Sequence, residues 1–301
     1  MKTPFIISVF DIFTGAVQSW PLPQTFLVFL IYSFIGWCCE VAYVGIFFEH
    51  KFINRGFLHG PICPIYGCGG MVMLFMPVRL KNTWIPLFFA GMFLCSAIEY
   101  FVSWGMERLF QTRWWDYSNR KFNINGRICL QNSLLFGVMT LVVEHFIQPA
   151  IDYIVYTVFD ETFAVYLADV LAVIFIIDIL RTLHKLVDFS TTMAKLKEFG
   201  ESLKERYGNE TWFRGGSISE MFASIKEHNA EEKGKFSSAL LEKIEAFNAH
   251  HSEGESLINK FPRMYSRNYN DSLALMKKRL EDNFMEKKAE RAAKHAAKKE
   301  A

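Results

Sequence analysis

The chain has 301 residues, of which 33 are Lys or Arg and 31 are Asp or Glu, so its net charge is +2. This balance argues against a nucleic-acid-binding protein, since such proteins normally carry a strong basic excess. The charges are also divided unevenly: residues 1–183 hold 11 basic and 12 acidic side chains, and residues 184–301 hold the remaining 22 and 19. We therefore predict a membrane domain over residues 1–183 and a charged, soluble domain over residues 184–301.

Cysteine usage predicts neither a metal centre nor a cofactor site. The six cysteines all lie in the first domain, and they show no C-x-x-C motif and no Cys/His ligand spacing. We interpret them as small apolar packing residues. They are Cys38, Cys39, Cys63, Cys68, Cys95 and Cys129.

Five apolar segments are candidates for membrane spans, each of which needs roughly 20 apolar residues. They cover residues 25–48, 60–78, 84–106, 129–150 and 162–183. The second segment is short and is interrupted by Pro61, Pro64 and four glycines, and a proline inside a helix breaks its hydrogen-bond ladder. The predicted fold is an all-α, polytopic bundle of about five spans with a helical tail.

Basic residues in the short loops predict the orientation, because cytoplasmic loops carry an excess of Lys and Arg. The loop after the first span has Lys51 and Arg55. The loop after the third span has five: Arg108, Arg113, Arg120, Lys121 and Arg127. The alternate side has only Lys2, Arg79 and Lys81. We predict that the N-terminus lies outside and the tail inside, and that the second segment crosses fully, since a re-entrant segment would place the five-positive loop outside.

Two long stretches carry rare residues in a fixed order. Residues 34–70 read FIGWCCEVAYVGIFFEHKFINRGFLHGPICPIYGCGG, and residues 98–137 read IEYFVSWGMERLFQTRWWDYSNRKFNINGRICLQNSLLFG. Over about residues 25–150, the chain resembles the bacterial family of putative ABC-transporter type IV permeases (CmpB-like). The resemblance implies a multi-pass transport protein of the bacterial plasma membrane. Because the chain has no G-x-x-x-x-G-K-[ST] phosphate loop, any ATPase would be a separate partner subunit.

Two acids lie within predicted spans. Glu40 and Glu99 are each seven or eight residues from the cytoplasmic end of a span, which places both roughly 10–12 Å below that surface. An ionisable side chain in hydrocarbon is costly and marks a functional site by default. The alternative is that each is a protonated or hydrogen-bonded packing residue. Two further acids looked weaker: Glu144 lies nearer the other face, and Asp178 could reach toward Arg181.

Arginines beside glycines lie at the predicted cytoplasmic surface. Asn54-Arg55-Gly56 and Asn125-Gly126-Arg127 each place a guanidinium where the backbone can approach an anion closely. The alternative is that these charges reflect only membrane topology. The candidate substrate- or ion-binding residues are Glu40, Glu99, Arg55, Arg127, His59, Asp116, Tyr43 and Tyr66.

The tail predicts a small helical bundle. Apolar residues at helical spacing form a stripe at Leu186, Met193, Leu196, Leu203 and Tyr207, and Ser217 with Glu220 fits a capping box. We expect this bundle to bind a cytoplasmic partner or to pack beneath the membrane domain, and it shows no catalytic constellation.

Three functions remain open. The chain could be a transport protein with Glu40 and Glu99 coupling to protons below Arg55 and Arg127. It could instead be a membrane-embedded enzyme acting on a lipid or isoprenoid headgroup, with the arginines holding phosphate and a glutamate acting as a general base. The third candidate is a non-catalytic scaffold that recruits a partner through residues 184–301. Membrane lipid is the expected environment in each case.

Overall fold

A computed structural model describes residues 21–44, 54–231, 236, 238–249, 252–282, 285 and 289. Lys2 and Lys51, two of the basic residues used above for the orientation, lie outside these ranges. The orientation therefore stays a prediction from the loop charges.

The described chain is almost entirely helical, as predicted. Its helices are α1 Leu22–Val44, α2 Pro64–Leu74, α3 Val78–Lys81, α4 Trp84–Phe110, α5 Leu130–Val142, α6 Gln148–Tyr153, α7 Glu161–Tyr207, α8 Ile218–Glu231, α9 Ser238–Ala249 and α10 Ser252–Lys260. Residues 270–282 are also helical. Two short antiparallel strands, β1 Asn123–Ile124 and β2 Ile128–Cys129, pair Asn123 with Cys129 and Ile124 with Ile128.

Four stretches of the described chain are long and apolar enough to cross a membrane: Leu22–Tyr43, Trp84–Phe110, Leu130–Val158 and Glu161–Tyr207. They correspond to the first, third, fourth and fifth predicted spans. The second predicted span is different, since its helix α2 has only 11 residues. Such a helix is about 16 Å long, roughly half of the hydrocarbon thickness. The predicted count of about five spans is therefore approximate.

Helix α2 nevertheless runs back along α1. A Cβ atom added to Gly36 would collide with the ring of Tyr66, and one added to Gly70 would collide with the ring of Tyr32. The residue numbers rise along one helix as they fall along the other, so the two helices are antiparallel. The backbone N–H of Cys63 donates to Ser33 O at 3.0 Å, which places the start of α2 beside the middle of α1. The second crossing is thus broken, with an extended segment, residues 54–63, ahead of a short helix.

Helices α4 and α5 form a second antiparallel pair. Ser96 Oγ donates to Ser133 Oγ at 2.8 Å. A Cβ atom on Gly137 would lie 2.6 Å from the ring of Phe88, and the glycine therefore lets the helices approach closely. Beyond α5 the span continues through a π-helical turn at Val143–Ile147, α6, and a second π-helical turn at Ile154–Val158.

The chain divides into two compact units, one of residues 1–105 and 115–183 and the other of residues 106–114 and 184–301. The second unit has a core of its own. Its predicted apolar stripe is confirmed, since Leu186, Met193, Leu196 and Leu203 are at most 2% exposed. The predicted capping box is also confirmed: Glu220 N donates to Ser217 Oγ at 3.3 Å, and Ser217 N donates to Glu220 Oε2 at 3.2 Å.

Packing of α1 on α2 predicts a large difference between two glycine substitutions. We expect Gly36→Ala to lower the free energy of unfolding by about 1–3 kcal/mol, because the new methyl group would overlap the ring of Tyr66. Gly105→Ala is the matched control, since Gly105 is also helical and a Cβ there meets nothing within 4 Å. Thermal unfolding in detergent measures both. An equal unfolding temperature for the two variants would contradict the close approach.

Candidate functional site

Glu40 on α1 meets Tyr66 on the first turn of α2. The Tyr66 hydroxyl donates to Glu40 Oε1 at 2.8 Å, and both side chains are half-buried. The contact depends on Gly36, one turn before Glu40, because only a residue without Cβ leaves room for the Tyr66 ring. The structure thus brings two of the predicted site residues together.

Glu99 on α4 is more deeply buried, with 7% of its surface exposed. The Tyr117 hydroxyl donates to Glu99 Oε1 at 3.2 Å from the loop that follows α4. Burial, and next the nearby charge of Glu99, raises the pKa of Tyr117 well above its usual range. The phenol therefore stays protonated at physiological pH and remains a hydrogen-bond donor to the carboxylate.

The second oxygen of Glu99, Oε2, is buried and has no hydrogen-bond partner among the described residues. Glu40 and Glu99 are close enough to interact electrostatically. Within the described ranges, neither carboxylate forms an ion pair with a basic side chain. We refer to Glu40, Tyr66, Glu99 and Tyr117 as the acid–phenol cluster.

The loop that supplies Tyr117 is tightly folded. Tyr117 N donates to Gly126 O at 2.8 Å, and Trp115 Nε1 donates to Arg127 O at 3.0 Å. Asn125 and Gly126 have φ values of 52° and 68°, so two consecutive residues take the left-handed conformation that glycine and asparagine tolerate best. This turn holds the Tyr117 backbone in place.

Asp116 was predicted as a ligand-binding residue, and the structure places it in a local turn. Its Oδ1 accepts from Ser118 N at 3.1 Å and from Ser118 Oγ at 2.6 Å. This is the pattern in which an aspartate side chain stabilises the backbone two residues ahead. Asp116 therefore contributes to the fold of the loop that carries Tyr117.

Arg127 packs against α4. Its guanidinium carbon lies 5.6 Å from the centre of the Tyr100 ring, and its Nη1 donates to Ser103 Oγ at 3.5 Å. Asn125 Nδ2 also donates to the Tyr100 hydroxyl, at 2.9 Å. The predicted Asn/Gly/Arg cluster thus lies on the face of α4 that carries Tyr100 and Ser103.

The extended segment, residues 54–63, carries the other predicted arginine, Arg55, which is half-buried. Asn54 organises this segment: its Oδ1 accepts from Trp37 Nε1 at 2.8 Å and from Gly56 N at 2.9 Å, and its Nδ2 donates to His59 O at 3.2 Å. The first Asn/Gly/Arg cluster is therefore fixed to α1 through its asparagine.

Asp178 on α7 satisfies the next part of the segment. Its two carboxylate oxygens accept from His59 N and Gly60 N, each at 2.9 Å. The His59 ring nitrogen Nδ1 lies 3.2 Å from both Asp178 Oδ1 and Thr182 Oγ1. The sequence interpretation, in which Asp178 reaches toward Arg181, missed this role.

The predicted site residues thus separate into groups. Glu40, Tyr66 and Glu99 come together, whereas His59 joins Asp178. Tyr43 is 57% exposed on α1. Sequence reasoning missed Tyr117 as a partner of Glu99; its position in the motif WWDYS was the available signal. No group of three or more His, Cys, Asp or Glu side chains suited to a metal ion occurs in the described part of the chain.

Capping by Asp178 predicts a stability effect specific to this acid. We expect Asp178→Ala to cost about 1–3 kcal/mol for each of the two backbone N–H groups that lose their acceptor. Asp169→Ala is the matched control, because Asp169 is an exposed acid on the same helix. Thermal unfolding in detergent and hydrogen exchange at Gly60 measure the effect. Unchanged exchange at Gly60 would show that the backbone finds another acceptor.

Comparison with protein families gives one match. The family model described as putative ABC-transporter type IV matches residues 27–183, which is more than half of the chain and extends beyond the 25–150 predicted from the motifs. No curated protein and no solved structure matches the chain.

Proposed function

This chain belongs to the putative ABC-transporter type IV family, and we propose that it is a transport component whose acid–phenol cluster carries protons during transport. Four long apolar helices support its place as a membrane transporter-like protein. In this proposal Glu40 and Glu99 bind and release the proton, and Arg55 and Arg127 lie toward the cytoplasmic mouth.

The observation that carries the proposal is the state of Glu99. Its side chain is 7% exposed, it has one hydrogen bond from Tyr117, and its Oε2 has no partner among the described residues. A charged carboxylate in an apolar interior costs several kcal/mol unless a cation, a proton or water compensates it. A packing residue of this size would be apolar, so the arrangement favours a group that binds and releases a positive charge.

The broken second crossing also supports a transport site. Extended backbone at membrane depth is tolerated only against protein or beside a water-filled cavity, and transporters build their sites beside such interruptions. Here the extended segment leads directly into Tyr66, the hydrogen-bond partner of Glu40. Glu40 is half-buried and Glu99 buried, so Glu40 is the carboxylate closer to solvent.

An ATPase, if transport uses one, would be a separate subunit. We propose that the helical unit formed largely by residues 184–301 recruits such a cytoplasmic partner. Its independent core, which includes Leu196, Ile225 and Ile244 with 0% exposure, gives it a defined surface for this purpose.

Proton flux into proteoliposomes tests the proposal. The purified full chain is reconstituted with a pH-sensitive dye inside the vesicles, and a potassium gradient with valinomycin drives proton movement. We expect Glu99→Gln to abolish the protein-dependent flux and Tyr117→Phe to reduce it by about tenfold or more, because proton transfer requires a positioned group.

Glu161→Gln is the control for charge alone, since Glu161 is an exposed acid at the start of α7. Size-exclusion chromatography shows whether each variant folds. Flux at the wild-type rate in Glu99→Gln would refute the proposal and would favour the scaffold interpretation. A new product from added membrane lipid, lost on Arg127→Ala, would favour the enzyme instead.

A further inference from the structure

A second group of ionisable side chains lies at the opposite ends of α4 and α5 from Glu99. Lys81 Nζ lies 3.1 Å from Glu144 Oε1, and the two side chains are only 15% and 12% exposed. Lys81 ends α3, directly before α4, and Glu144 lies in the first π-helical turn. Because both groups are largely buried, the pair interacts more strongly than an exposed surface pair.

The ion pair belongs to a larger polar group. The Tyr32 hydroxyl donates to Gln148 Oε1, and Gln148 Nε2 donates to Asp152 Oδ1 at 2.7 Å. Electrostatic interactions connect Asp152 to Lys81, and Tyr32 to Glu144 and Asp152. Tyr156 interacts with Asp152, and the His145 ring stacks on Trp84 at 4.6 Å. We refer to Tyr32, Lys81, Glu144, Gln148 and Asp152 as the opposite cluster.

Two polar side chains lie between the clusters, on the facing surfaces of α4 and α5. Cys95 is one helical turn before Glu99 and interacts with it electrostatically, and Cys95 is hydrogen-bonded to Thr140. Thr140 in turn is one helical turn before Glu144. Cys95 is 8% exposed and Thr140 is 0% exposed, so this connection is closed to the surroundings.

The geometry of the helix pair brings these residues into line. Residues four apart lie on the same face of a helix and are separated by about 6 Å along its axis. Gly91 allows the close approach, because a Cβ atom there would collide with the side chain of Thr140. Glu99, Cys95, Thr140 and Glu144 therefore form a continuous row of polar side chains, which we call the polar row.

We propose that the polar row is a proton path that connects the opposite cluster to the acid–phenol cluster. The inference rests on the proposed function, since Glu99 is the end of the path that delivers or receives the proton. It adds a site at Glu144 and two residues, Cys95 and Thr140, to which no role in transport has been assigned above.

The transfer involves protons alone and requires no oxidant or reductant. A proton from solvent binds the Glu144 carboxylate and neutralises it, which weakens its attraction to Lys81. The Thr140 hydroxyl and the Cys95 thiol each accept one proton and release another, and Glu99 receives the last. The gaps of about 6 Å between successive turns are distances that one water molecule bridges with two hydrogen bonds.

Substitutions in the polar row test the path in the proteoliposome assay for proton flux. Thr140→Val keeps the side-chain shape and removes the hydroxyl, and we expect it to slow the flux by about tenfold or more. We expect Cys95→Ala and Glu144→Gln to slow it similarly. Thr140→Ser retains a hydroxyl and should stay within about twofold of the wild-type rate.

Ser96→Ala is the matched control. Ser96 is buried next to Cys95 and hydrogen-bonds across the same helix pair to Ser133, but it lies outside the polar row. Its flux should equal that of the wild type. Chromatographic behaviour and unfolding temperature show that each variant folds, and Cys95→Ala provides the test if Thr140→Val does not.

The outcomes separate the two proposals. Loss of flux in Thr140→Val and Cys95→Ala, with wild-type flux in Ser96→Ala and Thr140→Ser, supports the path. Equal loss in Ser96→Ala overturns it, because the loss would then follow from helix packing. Normal flux in all variants of Cys95, Thr140 and Glu144 overturns the path and leaves the proposed function standing, provided that Glu99→Gln still abolishes flux. Normal flux in Glu99→Gln as well overturns both.

Discussion

The membrane domain depends on hydrogen-bonding the backbone of its extended segment. In hydrocarbon, an unsatisfied N–H or C=O group costs several kcal/mol, so a crossing that is not helical needs acceptors from elsewhere. Asp178 provides two of them for His59 and Gly60, Asn54 provides one for Gly56, and Ser33 provides one for Cys63. These bonds tie the segment to α1 and α7 at once. The position of α2, and with it Tyr66, follows from them.

Glycine then determines how closely the helices pack around this segment. The ring of Tyr66 lies over Gly36, and the side chain of Thr140 lies over Gly91. In a membrane, apolar burial provides little force between helices, and close contact through small residues provides much of the association energy. Each of these glycines also brings a polar side chain to the interior. The residues that allow tight packing are thus the same ones that admit Glu40's phenol partner and the row of polar groups beside α4.

The two buried acids on α4 and the π-helical turn have opposite surroundings. Glu144 has a lysine at 3.1 Å, so its charge is compensated within the protein. Glu99 has a phenol at 3.2 Å and a second carboxylate nearby, so nothing positive among the described residues balances it. A paired acid holds two elements together, whereas an unpaired one gains most from an external positive charge. This difference in surroundings, rather than depth alone, separates the two acids.

The sequence by itself determined the elements that depend on local composition and period. Apolar length predicted four long spans, the prolines and glycines of residues 60–78 predicted the broken crossing, and the ordered motifs predicted the family. Glu40 and Glu99 stood out as acids in apolar segments. Their partners could not be predicted, because helix rotation and loop conformation depend on contacts between residues far apart in the chain. Only the tertiary structure placed Tyr117 on Glu99, Asp178 on the extended segment and Asp116 in a turn. A hydrogen bond across about 120 residues, such as that from His59 to Asp178, leaves no local pattern from which it could be predicted.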